Sequence, residues 1–437
     1  MKKKILALQN QSQVIFGTPT MDKLPSNAFA DGITALRVAL NVKVKNGKVT
    51  DPARLDNAVR DIVEIITKEG TPFVWGHIGR IGASDFIDLD SDDGTVIIDC
   101  LKEKLKKRGI ELMYLSGVID KDGIHPIEDG PSLEKGKAYL VNNIRVCPNY
   151  DKDGFATSFG ELMGKIDAKI YICGAFADLA SEGPERRDEF LRAFKHLAWA
   201  PSIVDEIQRM EDIKKNSNSI KVIQFAGSKL DKTDILKNLK NVLVPGGVIY
   251  VGSAIAAFLL KTDAGKEMLS ELKKSFHILR SGDTPDCNAY NLAIPEVVNT
   301  PDGVYVKGKH LPNIYYPDIT VNSTEWIIAE ILSTLGPNDK MLLNGTPGFL
   351  EASTSEGKGF EENTKKLIEA IMDRLKEHSD ASLTTVGGDG PASVKRYGNN
   401  TFTNIVYFTG GKVPLSYVTE GESGLPMVEA LRKANEK

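Results

Sequence analysis

Eight short segments of this 437-residue chain share one form, a run of apolar and β-branched residues that ends in glycine and is followed by helical spacing. Strands that are apolar on both faces and alternate with helices are typical of parallel sheets covered on each side. This pattern limits the chain to the α/β class. The segments are Phe73–Gly76, Leu112–Gly117, Ile170–Gly174, Val222–Gly227, Val248–Gly252, Met341–Gly345, Leu383–Gly388 and Ile405–Gly410.

The predicted strands are too many for one open sheet, and a chain of this length usually forms roughly two or three domains. We therefore expect two doubly wound, Rossmann-like parallel-sheet domains with their strand-end glycine loops along one edge of each sheet. The stretch Phe194–Ser202 is interpreted as a helix stopped by Pro201, and it marks the joint. The expected divisions are an amino-terminal domain at 1–193, an interdomain helix or hinge at 194–205, a carboxyl-terminal domain at 206–418, and a segment at 419–437, helical from Gly424, that packs back toward the first domain.

The composition argues against several classes of protein. It is 41% hydrophobic and 26% charged with a net charge of −4, which gives no reason to expect nucleic acid or an anionic membrane as a partner. Four widely spaced cysteines and six scattered histidines predict neither a zinc site nor a disulfide framework, so a reducing cytoplasm fits best. The apolar run from Ile5 stops at Gln9, short of a signal peptide. Glycines divide Val242–Leu260 into strand, turn and helix, which argues against a membrane span.

Three short pieces near the amino terminus carry groups suited to an anion, namely Arg37–Val42, Asp51–Leu55 and His77–Arg80. They place an amide, an imidazole and guanidinium groups beside turns and helix starts. Arginine forks and backbone N–H groups at helix N-termini are well suited to hold phosphate and carboxylate. The sequence therefore predicts a local anion site in the amino-terminal half.

Arg54 belongs to a marked helix start, in which Asp51 is the predicted N-cap and Pro52 the first helical residue. A cation in the first turn is disfavoured by up to about 1 kcal/mol, because the helix dipole is positive there. Taken alone, Arg54 would more simply bend to solvent or pair with Asp51. Because Arg80 ends a strand–glycine turn close by in sequence, we favour a bound anion.

Four glycine-rich turns in the carboxyl-terminal half carry groups suited to a nucleotide. Lysines can neutralise phosphate, an aspartate can hold Mg²⁺, and a glutamate can bond a ribose hydroxyl. Each turn alone is better explained by a helix cap or a solvated side chain, but their shared position at strand ends favours a nucleotide. The P-loop, G-x-G-x-x-G and G-x-S-x-G motifs are absent from the sequence. The turns are Gly227–Lys232, Asn344–Glu351, Gly387–Pro391 and Thr409–Gly411.

In this order the pieces resemble the motifs of the phosphoglycerate kinase family, and the likeness extends through nearly the whole chain. In the amino-terminal half, Arg37–Val42 resembles R-V-D-F-N-V, Asp51–Leu55 resembles D-x-x-R-I, His77–Arg80 resembles H-L-G-R, Asn143–Arg145 resembles E-N-x-R, and Ala175–Phe176 resembles D-A-F. In the other half, Gly227–Lys232 resembles G-A-K-V-x-D-K, Asn344–Glu351 resembles N-G-P-x-G-x-F-E, Gly387–Asp389 resembles G-G-G-D, and Gly424–Leu431 resembles L-P-G-V-E-A-L.

The resemblance implies two domains that face each other across a hinged cleft, the first for 3-phosphoglycerate and the second for Mg²⁺ with ATP or ADP. It also implies a glycolytic, cytoplasmic enzyme that works as a monomer. Carried over residue by residue, the implied acid-binding residues are Asn41, His77, Arg80 and Arg145, and those acting on the phosphoryl group in transit are Arg54 and Lys229. The implied nucleotide-binding residues are Gly227, Ser228, Lys232, Gly252, Asn344, Glu351, Gly387, Gly388 and Gly390, with Asp389 on the metal.

Several positions depart from the family pattern. Ala39 and Gly174 stand where the family has aspartate, and Ser181 stands where it has arginine. Gly390 replaces a serine or threonine after the aspartate of G-G-G-D. The changes lie mostly around the implied acid site.

The cost of these departures depends on what the lost group does. Losing one charge-assisted phosphate contact costs about 1.5–3 kcal/mol, and Arg186 or Arg187 is a candidate to fill the gap. Losing an arginine that acts on the transferred phosphoryl group would cost on the order of 10³ in rate, but Arg54 is present. We therefore expect an active phosphoglycerate kinase. The alternatives are a weak or inactive nucleotide-binding relative and a kinase for another small carboxylate.

Overall fold

The chain divides into two compact units, one of residues 1–209 with 422–437 and the other of residues 210–421. It passes from the first unit to the second within the helix Pro201–Lys215. The computed structural model describes residues 14–30, 32–50, 52–79, 86–127, 133–147, 150, 153–180, 183, 186–215, 220–227, 233–300, 302–306, 309–311, 316–350, 352–398, 402–408 and 410–436.

The first unit is built on a six-stranded sheet in which all neighbouring strands are parallel. In spatial order its strands are His196–Trp199, Ala168–Gly174, Ile33–Val38, Thr71–Trp75, Lys137–Val141 and Glu111–Leu115. Its helices are Ala53–Thr67, Asp92–Lys106, Asp153–Lys165, Asp188–Leu191, the start of Pro201–Lys215, and Pro426–Asn435. Small antiparallel pairs join Val14–Ile15 to Thr18–Pro19, Val44–Lys45 to Lys48–Val49, and Ile119–Asp120 to Gly123–Ile124.

Helices cover both faces of this first sheet. Successive side chains of a strand point to opposite faces, and two neighbours show this. Val74 belongs to a cluster with apolar residues of the helix Ala53–Thr67, whereas Trp75 contacts Phe159 and Phe190. The ring centroids of Trp75 and Phe159 are 5.1 Å apart. The first unit is therefore doubly wound, as the sequence predicts.

The second unit has a seven-stranded sheet that is also parallel throughout. In spatial order its strands are His277–Leu279, Asn291–Ala293, Leu243–Val251, Ile220–Phe225, Lys340–Asn344, Ser382–Val386 and Ile405–Tyr407. Its helices are Thr233–Leu236, Ser253–Lys261, Asp263–Leu272, Val321–Trp326, Glu362–Glu377, Asp389–Tyr397 and Lys412–Glu420. A separate antiparallel sheet contains Lys309–Leu311, Val304–Val306 and Ala352–Ser353.

All eight predicted segments are strands, which confirms the α/β class. The interpretation of 194–202 as a helix stopped by Pro201 is wrong. His196–Trp199 is an edge strand, and Pro201 begins the next helix instead of ending one. Proline fits the first helical position, because the N–H that it lacks would have no partner within the helix.

Two helix starts differ slightly from the prediction. The helix expected to begin at Pro52 begins at Ala53, with Pro52 as its N-cap, and Asp51 lies outside the described residues. The terminal helix expected from Gly424 begins at Pro426.

The apolar run at 242–260 is divided as predicted, into the strand Leu243–Val251 and the helix Ser253–Lys261. Among the described residues, no helix has both the length and the apolar composition needed to cross a bilayer.

Candidate functional site

The predicted anion-binding groups of the first unit lie on loops at one edge of its sheet. Asn41, His77 and Arg145 follow three neighbouring parallel strands, whose carboxyl ends meet at that edge. Arg54 lies in the first turn of the helix Ala53–Thr67, as predicted. It is half-buried rather than bent out to solvent.

A chain of hydrogen bonds connects two of the arginines. The Arg54 guanidinium donates to the backbone carbonyl of Asn41, and the Arg145 guanidinium donates to the carbonyl of Gly79. The Gly79 N–H closes the chain by donating to the Asn41 side-chain oxygen at 3.2 Å. Gly79 has a φ of +68°, a left-handed conformation that glycine adopts at no steric cost. Two permanent positive charges are thus held on two neighbouring loops that are hydrogen-bonded to each other.

Asn143 fixes the turn that carries Arg145. Its buried side-chain amide donates to the carbonyls of Ile78 at 2.8 Å and Ile87 at 2.7 Å. Its side-chain oxygen accepts the Arg145 N–H at 3.1 Å. Asn143 is therefore a positioning residue that the sequence did not mark, although it belongs to the same motif as Arg145.

Arg37 begins the first of the predicted anion-binding pieces, but the sequence assigned it no role. Its guanidinium is 2% exposed and donates to the Val38 carbonyl at 2.8 Å, to Asp178 Oδ2 at 2.5 Å, and to His77 Nδ1 at 2.6 Å. Arginine has no acceptor atom, so His77 Nδ1 must accept and the ring proton lies on Nε2. His77 is therefore oriented as a neutral hydrogen-bond donor.

Asp61 ties the Arg54 helix to the helix Pro201–Lys215. It accepts hydrogen bonds from the Ser202 N–H at 3.0 Å and the Ser202 hydroxyl at 2.5 Å. Burial raises the pKa of Asp61 to about 7, and these hydrogen bonds oppose that shift. Gly174 makes room for the carboxylate, since a Cβ there would lie 2.7 Å from Asp61 Oδ2.

In the second unit the predicted glycine loops meet at the carboxyl edge of the sheet. Ala226 N–H donates to the Asn344 carbonyl at 2.8 Å, beside Gly227. Gly345 has a φ of +73°, and a Cβ there would lie 2.5 Å from the Ala226 carbonyl oxygen. Gly390 approaches the same place, because its Cβ would lie 3.4 Å from Gly345 N. These loops can pack this closely only because they carry glycine.

Gly252 and Ser253 join this loop cluster. The Gly252 N–H donates to the Phe225 carbonyl at 3.0 Å, and a Cβ on Gly252 would lie 2.5 Å from the Ala226 side chain. The Ser253 hydroxyl donates to the Pro347 carbonyl at 2.7 Å. Ser253 begins a helix at this edge, and its N–H also donates to the Pro347 carbonyl at 3.3 Å, so this residue fastens the helix start to the Pro347 loop.

The third of the predicted loops, Gly387–Pro391, starts the helix Asp389–Tyr397, with Gly388 as its N-cap. The Gly387 N–H donates to the Gly410 carbonyl at 3.2 Å. Asp389 is exposed in the first helical turn. Gly227, Gly252, Asn344 and Gly387 to Gly390 therefore lie on adjoining loops.

The predicted role of Asp389 in binding Mg²⁺ can be compared with the metal-binding side chains that the structure brings together. Among the described residues, no three histidine, cysteine, aspartate or glutamate side chains form a group that could hold a metal ion. Mg²⁺ keeps several waters and is usually held by one or two carboxylates together with substrate phosphates. A single exposed Asp389 therefore fits Mg²⁺ carried by a nucleotide, but it does not form a metal site by itself.

Two buried side chains that the sequence did not mark support these loops. The Gln224 amide donates to the Gly345 carbonyl at 2.6 Å and accepts the Tyr250 hydroxyl at 2.5 Å. Asp318 lies behind Gly348, where a Cβ would come within 2.8 Å of its carboxylate. Burial raises the pKa of Asp318 to about 7.

Several predicted site residues lie outside the described part of the chain. They are Arg80, Ser228, Lys229, Lys232 and Glu351, together with the departure at Ser181.

A family model described as phosphoglycerate kinase matches residues 27–421. Phosphoglycerate kinases from Haemophilus influenzae and Francisella tularensis are 27% and 24% identical to this chain, covering 91% of it and 95% of each relative. In solved structures, the phosphoglycerate kinase from Pyrococcus horikoshii matches with a TM-score of 0.63 and 18% identity, covering 96% of this chain and 99% of the other. That from Coxiella burnetii matches with a TM-score of 0.60 and 19% identity, covering 95% and 99%. The structural matches support the fold alone.

Proposed function

Because the chain belongs to the phosphoglycerate kinase family, we propose that it transfers a phosphoryl group reversibly between 1,3-bisphosphoglycerate with ADP and 3-phosphoglycerate with ATP. In the direction of ATP formation, the bond between the transferred phosphorus and the carboxylate oxygen breaks. A new bond forms between that phosphorus and an oxygen of the terminal phosphate of ADP. The proposal includes a glycolytic role in the cytoplasm and Mg²⁺ bound with the nucleotide.

The observation that carries the proposal is the hydrogen-bonded chain from Arg54 through Asn41 and Gly79 to Arg145. It fixes two guanidiniums on two joined loops, and the oriented His77 lies two residues before Gly79 in the second of these loops. Phosphoryl transfer requires positioning and charge neutralisation more than covalent help from the protein. A rigid pair of positive charges with neutral donors beside them meets that requirement.

In this mechanism each described residue has a limited task. Arg54 stabilises the charge that develops on the phosphoryl oxygens, and Arg145 and the His77 Nε2–H hold the acid. The loops around Asn344 and Gly252 bind the nucleotide phosphates. Mg²⁺ neutralises phosphate charge when bound, and Asp389 is the residue that would hold it. The proposal requires the two units to bring these groups to one phosphoryl group during turnover.

The test is a coupled assay with 3-phosphoglycerate and Mg-ATP. We expect Arg54→Ala to lower kcat by at least about a hundredfold, because the charge on the transferred group loses its partner. The control is Arg60→Ala on the same helix, since Arg60 pairs with the exposed Asp205 and should leave kcat within about twofold. Equal kcat values for Arg54→Ala and Arg60→Ala would refute the assigned role.

A second candidate function is a kinase for another small carboxylate. The observation that favours it is Asp178, whose carboxylate pairs with the buried Arg37 and lies 3.7 Å from His77. Because Asp178 balances the charge of Arg37, that guanidinium adds no net positive charge for a second anionic group of the substrate, which disfavours a highly charged acid. In the same assay, turnover with an unphosphorylated carboxylate but not with 3-phosphoglycerate would select this candidate. Nucleotide binding without turnover of any acid would select an inactive relative.

A further inference from the structure

The carboxyl-terminal unit has an open polar cleft that the proposed function does not use. It has a volume of about 500 Å³ and is lined by Lys240, Asn241, Lys274, Ser275 and Tyr290. Ligand-binding clefts usually measure roughly 300–1,000 Å³. The lining is polar and basic, with no acidic side chain in it.

This cleft lies at the opposite edge of the sheet from the glycine loops. Asn241 precedes the strand Leu243–Val251, and Tyr290 precedes the neighbouring parallel strand Asn291–Ala293. Gly252 follows the far end of the same nine-residue strand. Leu243 and Val251 pair with Ile220 and Phe225 of the neighbouring strand, so at about 3.3 Å per residue the two edges are about 17 Å apart. The cleft is therefore a separate place from the proposed nucleotide site.

The two lysines of the cleft differ from other lysines near them. Lys237 pairs with Glu271, and Lys266 pairs with Asp263 at 3.2 Å. Within the described part of the chain, neither Lys240 nor Lys274 has an acidic group within ion-pair distance. Their positive charge is therefore not neutralised by a direct contact.

Lys240 is also held in place. It is half-buried, and its ammonium donates to the Ser275 hydroxyl at 3.0 Å. Ser275 is itself fixed, because its N–H donates to the Leu272 carbonyl at 2.9 Å. A positioned ammonium loses less side-chain entropy on binding than a mobile one, so it is better suited to a ligand.

The simpler explanation of these lysines is that they complement the end of the helix Asp263–Leu272. A helix C-terminus carries about half a negative charge, whereas Lys240 and Lys274 together carry two positive charges. Glu271 does not neutralise the remaining positive charge of the two lysines. The pKa of Glu271 is lowered chiefly by the hydrogen bond and charge of Lys237, and only weakly by Lys274. A net positive charge remains in the cleft.

The uncharged groups of the cleft point to the class of ligand. The Tyr290 and Ser275 hydroxyls and the Asn241 amide can donate hydrogen bonds to oxygen atoms. Two ammonium groups with neutral donors between them suit an anion that carries at least two charges on several oxygens. We propose that this cleft binds the phosphoryl group of a small molecule, either an inorganic polyphosphate or a phosphate ester.

The test is site-resolved lysine acylation of the full-length chain, read by mass spectrometry, during titration with pyrophosphate at constant ionic strength. We expect the modification rates of Lys240 and Lys274 to fall at least about fivefold, with half of the effect below about 1 mM. Lys237 and Lys266 serve as internal controls and should change by less than about 1.5-fold, since they lie outside the cleft. Parallel protection of all four lysines, or protection of none, would overturn the proposal.

A matched pair of variants makes the test independent of the catalytic site. Calorimetric titration with pyrophosphate should lose one binding event in Lys240→Gln/Lys274→Gln and keep it in Lys261→Gln/Lys266→Gln, which leaves the Lys237–Glu271 pair intact. Repeating the titration with a phosphate monoester identifies the source, because the tighter of the two probes marks the preferred ligand class. An unchanged number of binding events in the first variant would refute the site, whatever the kinase activity proves to be.

Discussion

Burying a guanidinium costs several kcal/mol unless it is paired, and Arg37 meets this condition through Asp178, His77 and a backbone carbonyl. Both side-chain partners accept from the same guanidinium nitrogen, and His77 Nδ1 and Asp178 Oδ2, 3.7 Å apart, share no hydrogen bond because both atoms are acceptors. The same arrangement that stabilises Arg37 therefore fixes the tautomer of a residue assigned to the acid. At this site, the hydrogen bonds that pair one buried charged side chain, Arg37, also fix the orientation of His77.

Asp61 gives the clearest prediction at the residue scale. Its pKa is about 7 in the folded chain, against about 3.9 in an unfolded one, so only the folded state keeps the proton between these values. Stability should therefore fall as pH rises from about 4 to about 7, and remain lower above that. Asp61→Asn keeps both contacts to Ser202 and has no charge, so it should stabilise the first unit at pH 8 by on the order of 2–4 kcal/mol. Peptide-resolved hydrogen exchange at pH 5.5 and pH 8 measures this difference.

The control for Asp61 is Asp205→Asn, which removes an exposed carboxylate from the helix Pro201–Lys215. It should change the dependence of stability on pH only slightly, because the charge of Asp205 is the smallest of the contributions that raise the pKa of Asp61. A parent-like pH profile for Asp61→Asn would show that the buried carboxyl group does not titrate as argued.

The sequence predicted some site residues and missed others for a physical reason. Arg54 and Arg145 could be found because each stands in a short local motif beside a turn or helix start. Arg37 and Asp178 are 141 residues apart in sequence, and nothing local marks them as partners. Asn143 and Gln224 act by holding backbone carbonyls, a role that depends on loops brought together only by the fold.

At the scale of elements, parallel strands explain why both candidate sites lie on loops. The glycine that ends a strand was a reliable signal. Tight packing explains it at four of these positions, where a Cβ would come within 3 Å of another atom: Gly76, Gly174, Gly252 and Gly345. The strand His196–Trp199 carried no such signal, since Ala200 and Pro201 follow it. Because these four residues are mostly apolar and a helix follows almost directly, the sequence does not distinguish strand from helix here. The assignment of 194–202 to a helix is therefore wrong.

A substitution at Gly345 tests how closely the glycine-rich loops of the second unit must pack to bind a nucleotide. Gly345→Ala would strain a left-handed backbone and place its Cβ 2.5 Å from the Ala226 carbonyl oxygen. We expect it to lower ATP affinity by at least about tenfold in calorimetric titration, because the loops must move apart. Gly357→Ala is the matched control, since Gly357 has a φ of +82° but a Cβ added there would meet no atom within 4 Å.

The control should lose only the stability that a left-handed alanine costs, about 1–2 kcal/mol. Its ATP affinity should stay within about twofold of the parent chain. Equal losses of affinity in Gly345→Ala and Gly357→Ala would mean that backbone strain, and not the close approach of the loops, explains the effect.

At the scale of the whole molecule, the first unit is completed by a distant part of the chain. The helix Pro426–Asn435 packs against the strand His196–Trp199, and Met427 N–H donates to the Leu179 carbonyl at 3.2 Å. Its buried apolar residues are Met427, Val428 and Leu431, preceded by the buried Leu425. This helix is therefore part of the core of the first unit.

Removing residues 422–437 should destabilise the first unit and spare the second. Four buried apolar side chains at about 1.5–3 kcal/mol each give a loss on the order of 6–12 kcal/mol, which exceeds the stability of many domains. Peptide-resolved hydrogen exchange should show fast exchange in the first sheet and parent-like protection in the second. The control is Glu429→Ala, an exposed side chain on the same helix. Unchanged protection in both sheets would contradict the assignment.

The discontinuous first unit also fixes an order of events during translation. A ribosome completes residues 210–421 before it makes the helix that closes the first sheet. While residues 210–421 are synthesised, the amino-terminal half of the nascent chain therefore lacks this helix, and one flank of its sheet stays uncovered. Its final assembly is a late step, and slow elongation through the second half would prolong the period in which that flank is open to chaperones or proteases.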